Sequence, residues 1–322
     1  MKTRAAFFSN VPGNIDYVYG KGRREKINVL FDVYPEIITA ENFPRHAANL
    51  NGTEVIFSTW GMPGFDADKF SAMPSLKAVF YGAGATDYFA RPFLHRDIIV
   101  CSAWQANAIP VAEFTVAQII LGLKGYFRDS RSFKSPEDSR KNKDFSGAFE
   151  ERVALIGAGA IARKTEELLA NYNVEVTVIP SRPERRTVSI EEAFKTAFVV
   201  SNHLPNRDDN RKVFTREHFL SMRPGAVFIN TGRGAQVDEA GLIAAFKERP
   251  DLTALLDVTD PEPPPAGSEL YTMPNIHLSS HIAGSLNNEV IRMADYMIAD
   301  AERWLNGEPL QYRVSEDMLL TS

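Results

Sequence analysis

The chain has 322 residues, 44% hydrophobic and 24% charged, with a net charge of −5 and one cysteine. That length suits about two globular domains. The acidic balance argues against a nucleic-acid partner, and no stretch reads as the uninterrupted apolar run of a membrane span. The N-terminus, Met1 to Phe8, turns polar too soon for a secretory signal. Cys101, standing alone, permits no intrachain disulfide, so a reducing, cytoplasmic setting is expected.

Ala5–Phe8, Val55–Phe57, Ala78–Tyr81 and Ile98–Val100 are short apolar runs bounded by polar, Gly or Pro residues. Strands buried on both faces of a parallel sheet have this character. Cys101 follows the last run and reads as a buried structural thiol. Pro110 predicts the first turn of a long helix, apolar at Val111, Phe114, Ile119, Ile120 and Leu123. Residues 128–150, including Arg128-Asp129-Ser130-Arg131 and Lys141-Asn142-Lys143-Asp144, are charged and aperiodic and read as an exposed connection. A second alternation follows, with strands expected at 152–156, 174–179, 197–202, 225–230, 253–257 and 276–279. Helices are expected at 160–172, 189–196, 215–221 and 238–247, and a last one at 285–306 ends on the stop signal Asn306-Gly307. Two successive βα series predict an α/β chain with two open sheets.

Gly157-Ala158-Gly159-Ala160-Ile161-Ala162 follows an apolar strand and opens a helix. It matches G-x-G-x-x-[G/A], in which the first glycine makes the tight turn and the second admits a pyrophosphate close to the backbone. The small residue at the end packs helix on strand, and the helix N-terminus offers free N–H groups to phosphates. Gly157, Gly159, Ala160 and Ile161 are therefore candidate dinucleotide contacts. An Asp or Glu usually ends the next strand and accepts the ribose hydroxyls of NAD. Here that position holds Pro180, followed by Ser181-Arg182-Pro183-Glu184-Arg185-Arg186. No carboxylate repels a 2′-phosphate, and Ser181 with Arg182 or Arg185 is suited to bind one, so NADP(H) is expected over NAD(H).

Three later segments carry unusual polar residues: Asn230-Thr231-Gly232-Arg233-Gly234, Asp257-Val258-Thr259-Asp260-Pro261-Glu262-Pro263 and Ser280-His281-Ile282-Ala283-Gly284. With Asn107-Ala-Ile-Pro-Val-Ala-Glu113 and Asn202-His203-Leu204-Pro205, they make most of the chain resemble the D-isomer-specific 2-hydroxyacid dehydrogenase family, of glyoxylate/hydroxypyruvate reductase type. The resemblance implies a Rossmann dinucleotide-binding domain, 109–287, inserted in a smaller flavodoxin-like substrate domain, 1–108 and 288–322, each a doubly wound parallel sheet. It also implies hydride transfer between NAD(P)(H) and C2 of a small 2-keto or 2-hydroxy acid, with Arg233, Glu262 and His281 at the active site. Arg233 would bind the substrate carboxylate and polarise its carbonyl with a planar fork. His281 would donate a proton to the carbonyl oxygen, or accept it in reverse. Glu262 would orient the imidazole through its other nitrogen. Leu204, Pro205, Thr231, Gly232 and Asp257 would line the cofactor, Asp257 facing the nicotinamide carboxamide.

The first domain would supply the substrate's other wall. Gly82, Ala83 and Gly84 match a turn whose N–H groups hold the carboxylate, where glycine admits a close ligand, and Trp60 would cap the pocket. The family also implies a homodimer through the cofactor domain and closure over a small-molecule substrate. Three departures stand out. Ser280 replaces a proline, which predicts a less tightly held His281; Thr259 replaces an aromatic, which alters the pocket wall; and Pro180 replaces the acid. A related formate dehydrogenase has glutamine where Glu262 stands, which argues against formate. No metal is required. His46, His95, His203, His218 and His277 lack comparable context and read as structural or exposed. The alternative is a dinucleotide-sensing interaction protein like the C-terminal-binding corepressors, which keep this fold.

Overall fold

The computed structural model describes residues 2–139 and 145–319. Residue 1 of the expected 1–108 segment, residues 140–144 of the charged connection and residues 320–322 of the expected 288–322 segment lie outside the described residues. The chain divides into two units, one formed by 1–107 with 285–322 and the other by 108–284.

The first unit holds five parallel strands, β1 (Arg4–Phe8), β2 (Asp32–Val33), β3 (Val55–Ser58), β4 (Ala78–Tyr81) and β5 (Ile99–Ser102), in the order β2-β1-β3-β4-β5. This is the flavodoxin-like order. Alternate residues serve opposite faces. Ala5, Phe7, Phe57 and Phe80 pack with Val18, Tyr19 and Met297, while Ala6, Phe8, Ile56 and Val79 pack with Phe89 and Phe93. Burial on both faces is why these strands read as continuous apolar runs. Strand β2 escapes a sequence reading because it has two residues, one of them exposed.

The second unit holds six parallel strands, β6 (Glu151–Ile156), β7 (Val174–Ile179), β8 (Val199–Asn202), β9 (Val227–Asn230), β10 (Thr253–Leu256) and β11 (Ile276–Leu278), in the order β11-β10-β9-β8-β6-β7. The chain builds outward from β6 to β7, then returns to the other side of β6 as β8. The switch point therefore lies between β6 and β8, where doubly wound sheets bind ligands outside their carboxyl ends.

Three expectations need correction. The long helix starts at Trp104, runs to Leu123 and carries Pro110 inside it rather than at its first turn. The chain enters it directly from β5, with the Asn107 N–H donating to the Ala103 carbonyl, so a turn is complete before the proline arrives. By length and composition this helix, with mean hydropathy 1.5, is also apolar enough to cross a membrane. Just over half of its span is buried inside the protein, so its apolarity is used in the core. Finally, the charged connection begins within a helix, Tyr126–Ser132. Its Phe127 ring packs on His277 with centroids 5.2 Å apart, and Arg131 donates to the Pro250 carbonyl at 3.1 Å.

Candidate active site

In the second unit the carboxyl ends of β6 and β8 meet at the glycine loop. Gly157 has φ +120°, and a Cβ there would stand 2.2 Å from the His203 carbonyl oxygen, so only glycine fits. The Gly157 N–H donates to the Ile179 carbonyl at 2.7 Å, and the His203 N–H donates to the Ile156 carbonyl at 2.7 Å. A Cβ built on Gly159 would meet no described atom within 4 Å. Gly159 precedes the helix Ala160–Leu169, and no side chain caps that helix. Open space in front of an uncapped N-terminus, with free N–H groups and positive dipole, fits a diphosphate. Ala160 and Ile161 form the helix's first turn, and Leu204 and Pro205 follow His203 across the switch point.

At the end of β7, Ser181 is half-buried and Arg182 exposed. The residue that shapes this end of the loop is Arg186, whose Nε donates to the Pro180 carbonyl at 2.9 Å and whose Nη2 donates to the Ser181 carbonyl at 2.7 Å. The guanidinium is thus fixed against the loop, while Arg182 acts electrostatically on Asp209, which itself pairs with Arg207 at 2.8 Å. The sequence signal for Arg186 was present in the basic run, but nothing in it singled out this arginine.

Strands β9, β10 and β11 are neighbours, and the three candidate catalytic residues follow their carboxyl ends in turn. A chain of hydrogen bonds ties two of them, Arg233 and His281. Asn230 Nδ2 donates to the Arg233 carbonyl at 3.2 Å, the Asp257 N–H donates to the Asn230 carbonyl at 3.0 Å, and the His281 N–H donates to the Asp257 carbonyl at 2.9 Å. Gly234 must be glycine, since a Cβ would stand 2.1 Å from the Thr259 carbonyl oxygen, so the β9 and β10 loops touch beside Arg233. The Thr259 hydroxyl donates to the Pro261 carbonyl at 2.8 Å.

His281 has φ +55°, a left-handed conformation uncommon for a residue with a side chain. Its Nδ1 lies 2.6 Å from Glu262 Oε1, and both side chains are exposed. Arg233 is exposed too, with Nη1 donating to the Gly232 carbonyl at 2.9 Å. Thr231 is buried, its hydroxyl 3.3 Å from that of Thr115.

Asp257 is 2% exposed, and its carboxylate accepts from the Ser279 hydroxyl at 2.5 Å, the Ile282 N–H at 2.9 Å and the Ala283 N–H at 3.0 Å. Three donors fasten the loop that carries His281, a task the sequence reading did not give to Asp257. Among the other histidines, His203 is buried, with Nε2 2.9 Å from the Ser201 hydroxyl, and burial lowers its pKa from 6.5 to about 4. His218 sits at the start of the Arg216–Leu220 helix, with its Nδ1 3.1 Å from the Thr215 hydroxyl.

In the first unit, Trp60 follows β3 and Gly82-Ala83-Gly84 follows β4. The carbonyls of this turn are all directed inward. Gly82 O accepts from the Thr59 hydroxyl at 2.8 Å, and Ala83 O and Gly84 O accept from the Ser102 hydroxyl at 2.8 and 2.7 Å. In a trans peptide the N–H points opposite the carbonyl, so the N–H groups of Gly84 and Ala85 face the other way. Asn107 stands beside them. A Cβ on Gly84 would lie 3.6 Å from Asn107 Nδ2, and Asn107 Oδ1 is occupied by the Ser285 N–H at 3.0 Å. In the sequence Asn107 stands out only as the first residue of the Asn107–Glu113 motif.

Residues 116–283, just over half of the chain, match the family described as D-isomer specific 2-hydroxyacid dehydrogenase, NAD binding domain. The chain is 27% identical over 194 residues to a putative 2-hydroxyacid dehydrogenase of Bacillus subtilis, a match covering 56% of each protein. It is 25% identical over 265 residues to a glycerate dehydrogenase of Methylorubrum extorquens, covering 76% of this chain and 80% of that one. Its fold is shared by D-mandelate dehydrogenase of Rhodotorula graminis, with a TM-score of 0.77 at 20% identity over 98% of both chains. These observations identify the chain as a member of the D-isomer specific 2-hydroxyacid dehydrogenases, oxidoreductases that use NAD(H) or NADP(H) on small hydroxy or keto acids.

Proposed function

We propose that this chain moves a hydride between NADP(H), in preference to NAD(H), and C2 of a small 2-keto or 2-hydroxy acid of D configuration. The observation that carries this reading is the His281 Nδ1 to Glu262 Oε1 contact of 2.6 Å, in the unit that also holds the open Gly159 loop. When bound, the dinucleotide supplies or takes the hydride at its nicotinamide ring. Gly157, Gly159, Ala160 and Ile161 would hold its diphosphate, Leu204, Pro205, Thr231 and Gly232 its length, and Asp257 its carboxamide. Ser181, Arg182 and Arg186 would take a 2′-phosphate.

His281 orients through Glu262, which leaves Nε2 to give a proton to the C2 oxygen in reduction and to take it in oxidation. Arg233 grips the carboxylate and polarises the carbonyl. From the first unit we assign the N–H groups of Gly84 and Ala85 and the Asn107 amide as neutral donors for a carboxylate, with Trp60 as a cap; the Gly82 and Ala83 N–H groups, expected to share this task, donate instead to the Ser58 and Tyr81 carbonyls at 2.7 and 2.9 Å. A homodimer through the second unit belongs to the same reading, and light scattering tests it.

The functional test is reduction of glyoxylate, hydroxypyruvate and bulkier 2-keto acids with each dinucleotide. Turnover with NADPH favoured supports the reading, and tight dinucleotide binding without turnover of any acid refutes it.

A further inference from the structure

Three buried side-chain amides lie between the two loops at the carboxyl ends of β8 and β9. Gln236, 1% exposed, follows Arg233 by one turn of chain. Its Nε2 donates to the Leu204 carbonyl at 2.9 Å and to the Pro205 carbonyl at 2.8 Å, and its Oε1 accepts from Asn202 Nδ2 at 2.6 Å. Asn202 Oδ1 accepts from the Leu204 N–H at 3.0 Å, and its Nδ2 also donates to Asn230 Oδ1 at 2.9 Å. Asn230 Oδ1 accepts from the Gly232 N–H at 3.1 Å, and its Nδ2 donates to the Arg233 carbonyl. Both Nε2 protons of Gln236 are used, so the amide has one orientation. The fit is close as well, since a Cβ on Gly232 would lie 2.8 Å from Asn202 Nδ2.

A connected, satisfied polar network of this kind is rigid, and a half-satisfied one is expensive. Its outputs are two. One is the Leu204–Pro205 backbone, and the other is the Gly232–Arg233 backbone. We propose that Gln236 is a positioning residue that couples these loops, so that dinucleotide and 2-keto acid strengthen each other's binding. The inference rests on the reading above, in which Leu204 and Pro205 face the dinucleotide and Arg233 grips the acid. Fixing either loop fixes the other through the amides. Coupling between two binding events is reciprocal, so each ligand raises affinity for the other by the same factor.

The test measures NADPH affinity by its fluorescence, with and without oxamate as an unreactive 2-keto acid analogue. In the wild type, oxamate should tighten NADPH binding by roughly 5- to 100-fold. Gln236→Glu keeps the shape but turns a donor into an acceptor facing two carbonyls, and Gln236→Met removes all polarity. Either variant should cut the coupling to about twofold or less, with NADPH affinity alone changing much less. A variant that melts earlier yet keeps wild-type coupling would show a merely structural role and overturn the proposal. The wild type offers an independent reading by hydrogen exchange. Oxamate, gripped by Arg233, should slow exchange of the Leu204 N–H, a group to which the reading above gives no contact with the acid. Exchange at Leu204 unmoved by bound oxamate would also overturn it. Both readouts are independent of turnover, so an absence of turnover counts against the enzyme assignment and leaves the coupling measurement standing.

Discussion

Glu262 Oε1 and His281 Nδ1 lie 2.6 Å apart although 18 residues separate them in the chain, because β10 and β11 are parallel neighbours whose loops leave the sheet at the same edge. Glu262→Gln should keep the bond to the ring in weaker form and lower kcat by about ten- to a hundredfold with KM little changed. His281→Ala should lower kcat by roughly 10²–10⁴. Steady-state kinetics on both variants, beside unchanged dinucleotide affinity, checks the assignment.

Asp257 accepts three hydrogen bonds from the loop that holds His281 in a left-handed conformation. Asp257→Ala would leave the buried Ala283 N–H, the part-buried Ile282 N–H and the Ser279 hydroxyl without this acceptor. It should destabilise the protein by roughly 2–4 kcal/mol in urea unfolding and lower kcat through disorder of His281. Loss of stability with full activity would separate Asp257 from the site.

Arg186 is anchored by two carbonyls beside the loop that would meet a 2′-phosphate. Arg186→Ser should reduce kcat/KM with NADPH by about 10- to 100-fold and leave that with NADH nearly unchanged. Arg182→Ser should do less, since Arg182 is exposed and its charge is screened by water. An equal loss with both dinucleotides would remove the selectivity argument.

Burial lowers the pKa of His203 from 6.5 to about 4. The unfolded chain therefore binds this proton more readily, and stability falls as pH drops from the ordinary histidine value towards the folded one. The loss should reach up to roughly 3 kcal/mol. His203→Gln should flatten that part of the curve in chemical denaturation across this pH range. An unchanged slope would place the acid sensitivity elsewhere.

Strands β3, β4, β8, β9 and β10 were legible because every residue in them is buried, so that they read as short apolar runs. Gly157 was legible because a tight turn at the end of a strand demands glycine. Two-residue β2 carries too little pattern to be seen, and Pro110 misled because a proline suits a first turn, whereas here it lies inside a helix that starts at Trp104 despite the backbone hydrogen bond a proline forgoes. Arg233, Glu262 and His281 were visible only in three separate segments. Residues whose roles depend on strands meeting in space were not: the Asn202–Asn230–Gln236 amides, the Asp257 clasp on the His281 loop, and the amide of Asn107 fixed by Ser285.

The most direct measurement mixes the purified chain with NADPH and a panel of 2-keto acids and follows the reduced-nicotinamide absorbance at about 340 nm. The prediction is a fall matched by formation of the D-2-hydroxy acid from at least one substrate, and lost in both Arg233→Ala and His281→Ala. Binding of NADPH with no fall for any acid, or undiminished rates in those two variants, would contradict the account.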